Sequence, residues 1–190
     1  MRDGTQTRKR LERVALTLFV KKGASATTIK DIATEADIAE GTLYRHYSSK
    51  DQLAQGLFLN SYMQIAEQIK KIADDAPTFD TKIQGMVQYF CEQYDQDPVL
   101  FNYLLLSQHN QIKLLSEKEM NAHTFMLPIF KEAIEKKELK RNDPHFYIDI
   151  LLGIVLQAAI SRVYDRIPRP LTADASPLSK CVLAAFRADI

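Results

Sequence analysis

Apolar residues recur at helical spacing along almost the whole chain, and this periodicity restricts the fold more than any other feature. Leu11, Val14, Ala15, Leu18 and Phe19 stand at i, i+3, i+4, i+7 and i+8, one face of an amphipathic helix. Lys21, Lys22 and Gly23 follow, so cations meet the last carbonyls and a glycine ends the helix. "TTIKDIATEA" opens a second helix: Thr28 precedes Asp31 by three residues, close to a capping box, and Ile29, Ile32, Ala33 and Ala36 form its inner face. Asp37 breaks it. A third helix begins near Glu40 and ends near Tyr47. Ser49, with Gln52 at the capping-box position, opens a fourth that runs to about Ala73 through Leu53, Leu57, Phe58, Met63, Ile65 and Ile69.

Later starts are marked by capping residues. Asp97-Pro98, Asp143-Pro144 and Ser176-Pro177 each place a good N-cap before a proline suited to the first helical position. Ser116 with Glu119 is another capping box. These signals predict helices near 80–95, 98–109, 117–139, 144–166 and 177–188, with Pro128 kinking or interrupting the seventh. With only 6 glycines and 7 prolines in 190 residues, and strand-like alternation hard to find, the expected class is all-α with about nine helices. No internal repeat is evident, which argues against a solenoid. The run "YIDILLGIVLQAAI", Tyr147–Ile160, falls short of the ~20 apolar residues a membrane span needs and is interrupted by Asp149 and Gln157. A helix buried on most sides, and no membrane partner, is the expectation. Cys91 and Cys181 lie far apart without a CxxC, and the basic N-terminus lacks a signal-peptide core. Both features predict reduced thiols and a cytoplasmic location.

Net charge is only +1, so a nucleic-acid partner is not announced by overall charge. Residues 1–60 nevertheless hold ten Lys/Arg against seven Asp/Glu. Within them, "GTLYRHY" has an unusual mixture. At 100° per residue, Leu43 and Tyr47 fall on one side of a helix, while Gly41, Thr42 and Arg45 point away. Tyr44 and His46 take the flanks. Such a helix suits a DNA major groove: Thr42 and Arg45 reach base edges, Gly41 permits close approach, and Tyr44 and His46 reach the phosphate walls. Thr27 and Thr28, at the start of the second helix, and Lys50, at the start of the fourth, are expected near phosphates.

The segment "TTIKDIATEADIAEGTLYRHYSSKDQL", residues 27–53, resembles the tetracycline-repressor (TetR) family of transcriptional regulators. "ALTLFVKKGASATT" is similar to that family's A-x-x-L-F-x-x-x-G-x-x-x-T-T pattern. The resemblance implies an N-terminal three-helix helix-turn-helix unit joined by a long fourth helix to a helical ligand-binding and dimerisation domain. Residues 1–48 would be the DNA-binding domain, with the motif at about 27–47, and 49–190 the remainder. By position, Thr28, Thr42, Tyr44, His46 and Lys50 look like DNA-contacting residues, and Glu40, Gly41 and Arg45 occupy the variable, sequence-reading places. Two residues depart from the pattern. Asp37 stands where a turn glycine is usual, and Ala39 stands where a serine usually caps the recognition helix. An alanine cap costs ~1 kcal/mol, offset in part by Glu40 at the positive helix end.

Tyr62, Met86, Tyr89, Phe90, Phe101, Tyr103, His123 and Met126 are candidates to line a small-molecule pocket, although most aromatic and methionine side chains in such helices are simply core. His109, with Glu119 and His123, lacks further ligands, so no metal or cofactor is expected. No HExxH, Gly-rich phosphate loop or GxSxG is present, so catalysis is not expected. The resemblance implies a homodimeric, ligand-responsive repressor on a palindromic DNA operator. The last two helices would form the dimer and the fourth would link an unknown small-molecule inducer to the DNA. The competing expectation is a helical protein-interaction module that has lost DNA binding.

Overall fold

The computed structural model describes residues 4–112 and 122–188, and the side chains of these except 106–112 and 122–123. The helices are α1 (Gly4–Lys22), α2 (Ile29–Glu35), α3 (Glu40–Tyr44), α4 (Lys50–Asp75), α5 (Phe79–Gln96), α6 (Pro98–Ile112), α7 (Ala122–Glu135), α8 (Pro144–Val163) and α9 (Ala175–Arg187). A 3-10 turn, Leu171–Asp174, precedes α9. No strand occurs among the described residues. The all-α class is as expected.

Packing divides the chain into two units, and the division falls inside α4, after Met63. The first unit contains α1–α3, the first half of α4, and α6 from Val99. Its core is Leu11, Ala15 and Phe19 of α1, Ile32 and Ala33 of α2, Leu43 of α3, and Leu53 and Phe58 of α4. α6 joins it through Tyr103, whose ring stacks on Phe19 at 5.8 Å and whose hydroxyl donates to the Ala54 carbonyl at 2.7 Å.

The second unit holds the rest of α4 with α5, α7, α8 and α9. Phe79, Phe130, Tyr147 and Phe186 meet edge-on, with centroids 5.4–5.7 Å apart for the pairs Tyr147–Phe186, Phe79–Phe130 and Phe130–Phe186. Such pairs add ~0.5–1.5 kcal/mol each beyond their buried area. Asp95 of α5 accepts from the Leu171 and Thr172 amides and the Thr172 hydroxyl at 2.7–2.9 Å, which holds the 3-10 turn against α5. Cys91 is buried here as a free thiol, pushed up to about 11 chiefly by that burial.

Most starts and stops match the capping signals. Thr28 and Asp31 form a reciprocal capping box, and Asp143 accepts from the His145 amide at 2.9 Å. Gly23 ends α1 with φ 82°, a backbone region that favours glycine. α5 has a Thr78–Thr81 capping box that the Glu/Gln rule does not anticipate. Three expectations need correction. α9 starts at Ala175, before Ser176-Pro177; the Asp174 carboxylate, taken by Arg162 and Arg169, makes no cap bond. α7 continues through Pro128, so of the two expected effects interruption does not occur. α8 is not buried on most sides: its most apolar 18 residues have mean hydropathy 1.7, enough by length and composition to cross a membrane, yet only 33% of them are buried. The cap at Ser116–Glu119 lies outside the described residues.

Candidate nucleic-acid interface

The turn between α2 and α3 is built without glycine. Asp37 adopts φ 50°, a left-handed conformation that Asp tolerates better than most residues. Arg10 Nη2 reaches its carbonyl at 3.4 Å. Ala39 begins α3 with no side-chain cap, and Glu40 lies in the first turn. α3 is shorter than expected. It ends at Tyr44, and Arg45 and His46 follow in a tight turn in which the His46 and Tyr47 amides both donate to the Leu43 carbonyl.

This short helix has a sharp division between its faces. Leu43 is fully buried and Tyr47 is nearly so. The Tyr47 hydroxyl donates to Glu12, which also accepts from Arg8 Nε at 2.8 Å, while the Arg8 guanidinium lies 5.6 Å over the Tyr47 ring. Burial, then the bond to Glu12, pushes the Tyr47 phenol up to about 12. Glu40, Gly41, Tyr44 and Arg45 are exposed, Tyr44 at 53%, and Thr42 and His46 are half-buried beside them. A Cβ added at Gly41 would meet nothing within 4 Å, so the chain's own packing does not require glycine there.

Two expected contacts are turned inward. Thr27 is fully buried, and its hydroxyl is positioned on the Gly23 carbonyl at 2.8 Å and the Leu18 carbonyl at 3.4 Å. Lys50 Nζ donates to the carbonyls of Ala24, Thr27 and Ser25 at 2.6, 2.8 and 3.3 Å. An ammonium has three donors, and all three are spent on this loop. Lys50 therefore shapes the approach to α2, and Thr28, exposed at its cap, is the residue that remains available.

The pocket candidates divide between the units. Met86 and Met126 are buried and Tyr89 and Phe90 half-buried in the second unit. Tyr62, stacked on Phe58 at 5.4 Å, and Phe101 and Tyr103 belong to the first. Tyr103 is 2% exposed with its hydroxyl satisfied, which makes it core. The side chain of His123, and those of His109 and Glu119, lie outside the described residues.

An all-helical chain with a short polar-faced helix set on a capped partner across a tight turn defines a helix-turn-helix DNA-binding protein. Residues 13–57 match the bacterial regulatory proteins of the tetR family. The chain is 26% identical over 170 residues to the HTH-type transcriptional regulator SAR2658 of Staphylococcus aureus, covering 86% of this chain and 83% of that one. It is 33% identical over 79 residues to the HTH-type transcriptional repressor KstR2 of Mycolicibacterium smegmatis, 42% of this chain and 38% of that one. Its fold resembles the transcriptional regulator FadR of Bacillus subtilis in complex with stearoyl-CoA, with TM-score 0.74, 16% identity, and 95% and 100% of the two chains covered. The match to the tetR family thus covers the helix-turn-helix segment, and the relatives along the rest of the chain are likewise DNA-binding transcriptional regulators.

Proposed function

We propose that the chain is a ligand-responsive repressor that binds a palindromic operator as a homodimer. The carrying observation is α3, which sets exposed Gly41, Tyr44 and Arg45, with Thr42 and His46, on a base of buried Leu43 and Tyr47. In this reading Thr42 and Arg45, with Glu40 beside them, read base edges, while Thr28, Tyr44 and His46 meet phosphates. Residues 1–48 act on DNA and 49–190 take the ligand and the partner subunit.

The dimer would form through α8 and α9. Support comes from α8, where Phe146 and Val163 are exposed and Ile150, Leu152, Ile154, Leu156 and Ile160 are only partly buried. Two recognition helices would then sit ~35 Å apart, one turn of DNA. The inducer is a small molecule held in the second unit near Met86, Tyr89, Phe90 and Met126. The resemblance to a regulator solved with a bound acyl-CoA supports a ligand-holding role for this fold. α4, which runs from Lys50 through both units, is the mechanical link, and ~1–3 kcal/mol of coupling is sufficient. The protein acts in the cytoplasm.

Selection from random duplexes with the full chain tests the reading. A palindromic consensus is expected to emerge, and its half-site spacing should match one helical turn. Recovery of no sequence above background would favour the protein-interaction module.

A further inference from the structure

The fold sorts the three cations at positions 8–10. Arg8 is held by Glu12 and the Tyr47 ring, and Lys9 is exposed. Arg10 turns instead into a groove of about 510 Å³ beside the recognition helix, where Thr7, Asp37, Thr42, Arg45 and His46 also line the wall. Its bond to the Asp37 carbonyl, at 3.4 Å, is at the long limit of hydrogen bonding, and its Nε is buried without a partner among the described residues. A buried charged donor without an acceptor is unfavourable until one arrives.

We propose that this groove is a seat for a DNA phosphate and that Arg10 is a backbone contact which sets the register of α3 on the duplex. Arg10 lies outside the matched segment 13–57, so the family match does not assign it. A small rotation off the Asp37 carbonyl releases Nη2 and Nε side by side, the fork that takes two oxygens of one phosphate. Arg45 adds a second positive charge to the same wall, and Thr42 places the seat next to the base-reading face. Asp37 is the acidic group there and opposes the anion. The proposal rests on the DNA-binding reading and deepens it.

The test is a salt series with the full chain on two duplexes of equal length, one carrying the selected operator and one of random sequence. Arg10→Gln is expected to weaken both about tenfold per subunit bound, the cost of one charge-assisted contact. It should also flatten the plot of log affinity against log salt by about 0.9 per subunit bound, the signature of one phosphate. Lys9→Gln is expected to leave that slope unchanged. Asp37→Asn keeps a residue tolerant of the left-handed turn, removes the opposing charge and is expected to tighten both complexes about threefold. All slopes are read at a temperature where every variant is folded, so a stability loss alone does not move them. A parent-like slope for Arg10→Gln, or an equal flattening by Lys9→Gln, overturns the proposal. Failure of the parent chain to bind either duplex would instead overturn the DNA-binding reading itself.

Discussion

Thr27 and Thr28 are adjacent and chemically identical, yet one is fully buried and the other caps α2 at the surface. Their difference lies in backbone direction, which residue type does not encode. Lys50 presents the same situation: a lysine beside a DNA-binding motif suggests a phosphate, but its ammonium closes on three carbonyls of the 24–27 loop. Lys50→Met is therefore expected to cost ~1–3 kcal/mol of stability in urea unfolding while leaving the salt slope of DNA binding intact. A slope reduced by a full unit would return Lys50 to a phosphate. Arg45, exposed at the end of α3, has the opposite expectation. Arg45→Ala should leave stability within about 0.5 kcal/mol of the parent, since it touches nothing in the core. It should also relax base preference at one operator position by ~1–3 kcal/mol, read by competition between single-base variants.

At the scale of elements, helix boundaries were legible wherever a side chain does the capping. Thr28, Gly23 and Asp143 announce their ends because each bond is local in sequence. α9 begins before its Ser176-Pro177 signal because the 3-10 turn 171–174 leads straight into it, and Asp174 at the junction is held by Arg162, twelve residues away, and by Arg169. These ion pairs make the α8–α9 connector sensitive to acid. Asp174 is held below the usual carboxylate range, first by Arg162, with burial opposing and Arg169 assisting. For Asp95 burial raises the pKa, but the Thr172 and Leu171 donors outweigh it and the net direction is also down. Folded pKa values below unfolded ones mean stabilisation that is full above about pH 4 and lost as pH falls through the folded values. Amides 171–174 should thus lose hydrogen-exchange protection as pH falls below about 4, while those at the start of α5, capped by the uncharged Thr78–Thr81 pair, keep theirs; equal loss in both would remove the local cause. Gly85 is a second element-scale constraint. A Cβ there would lie 2.6 Å from Ile72 Cγ2, a branch carried close to the α4 backbone that cannot swing aside cheaply. Gly85→Ala is expected to destabilise by ~1–3 kcal/mol, and Ile72→Ala in the same chain to recover part of it. An additive double mutant would disprove the close approach.

For the whole molecule, the test is assembly. Gly153 is exposed in the middle of α8, and a Cβ there meets nothing within 4 Å of the chain itself. A lone subunit therefore has room for a larger residue, and replacing a mid-helix glycine should even stabilise it by ~0.5–1 kcal/mol. If α8 packs on a partner's helix, Gly153→Leu should give folded monomers in sedimentation and a large loss of operator affinity. A dimer that survives this change would place the interface elsewhere. The apolar periodicity, the capping residues and the 27–53 pattern determined the class of fold, the order of helices and the face of α3, because each depends on residues within a few positions of one another. Tertiary structure alone decided that Tyr103 closes the core of the first unit, that Lys50 faces a loop, that Arg10 enters the groove beside α3, and that only a third of the apolar α8 window is buried. Those outcomes follow from which distant segments meet, since a side chain's partner across 23 to 49 residues depends on how whole helices pack and not on its neighbours in sequence.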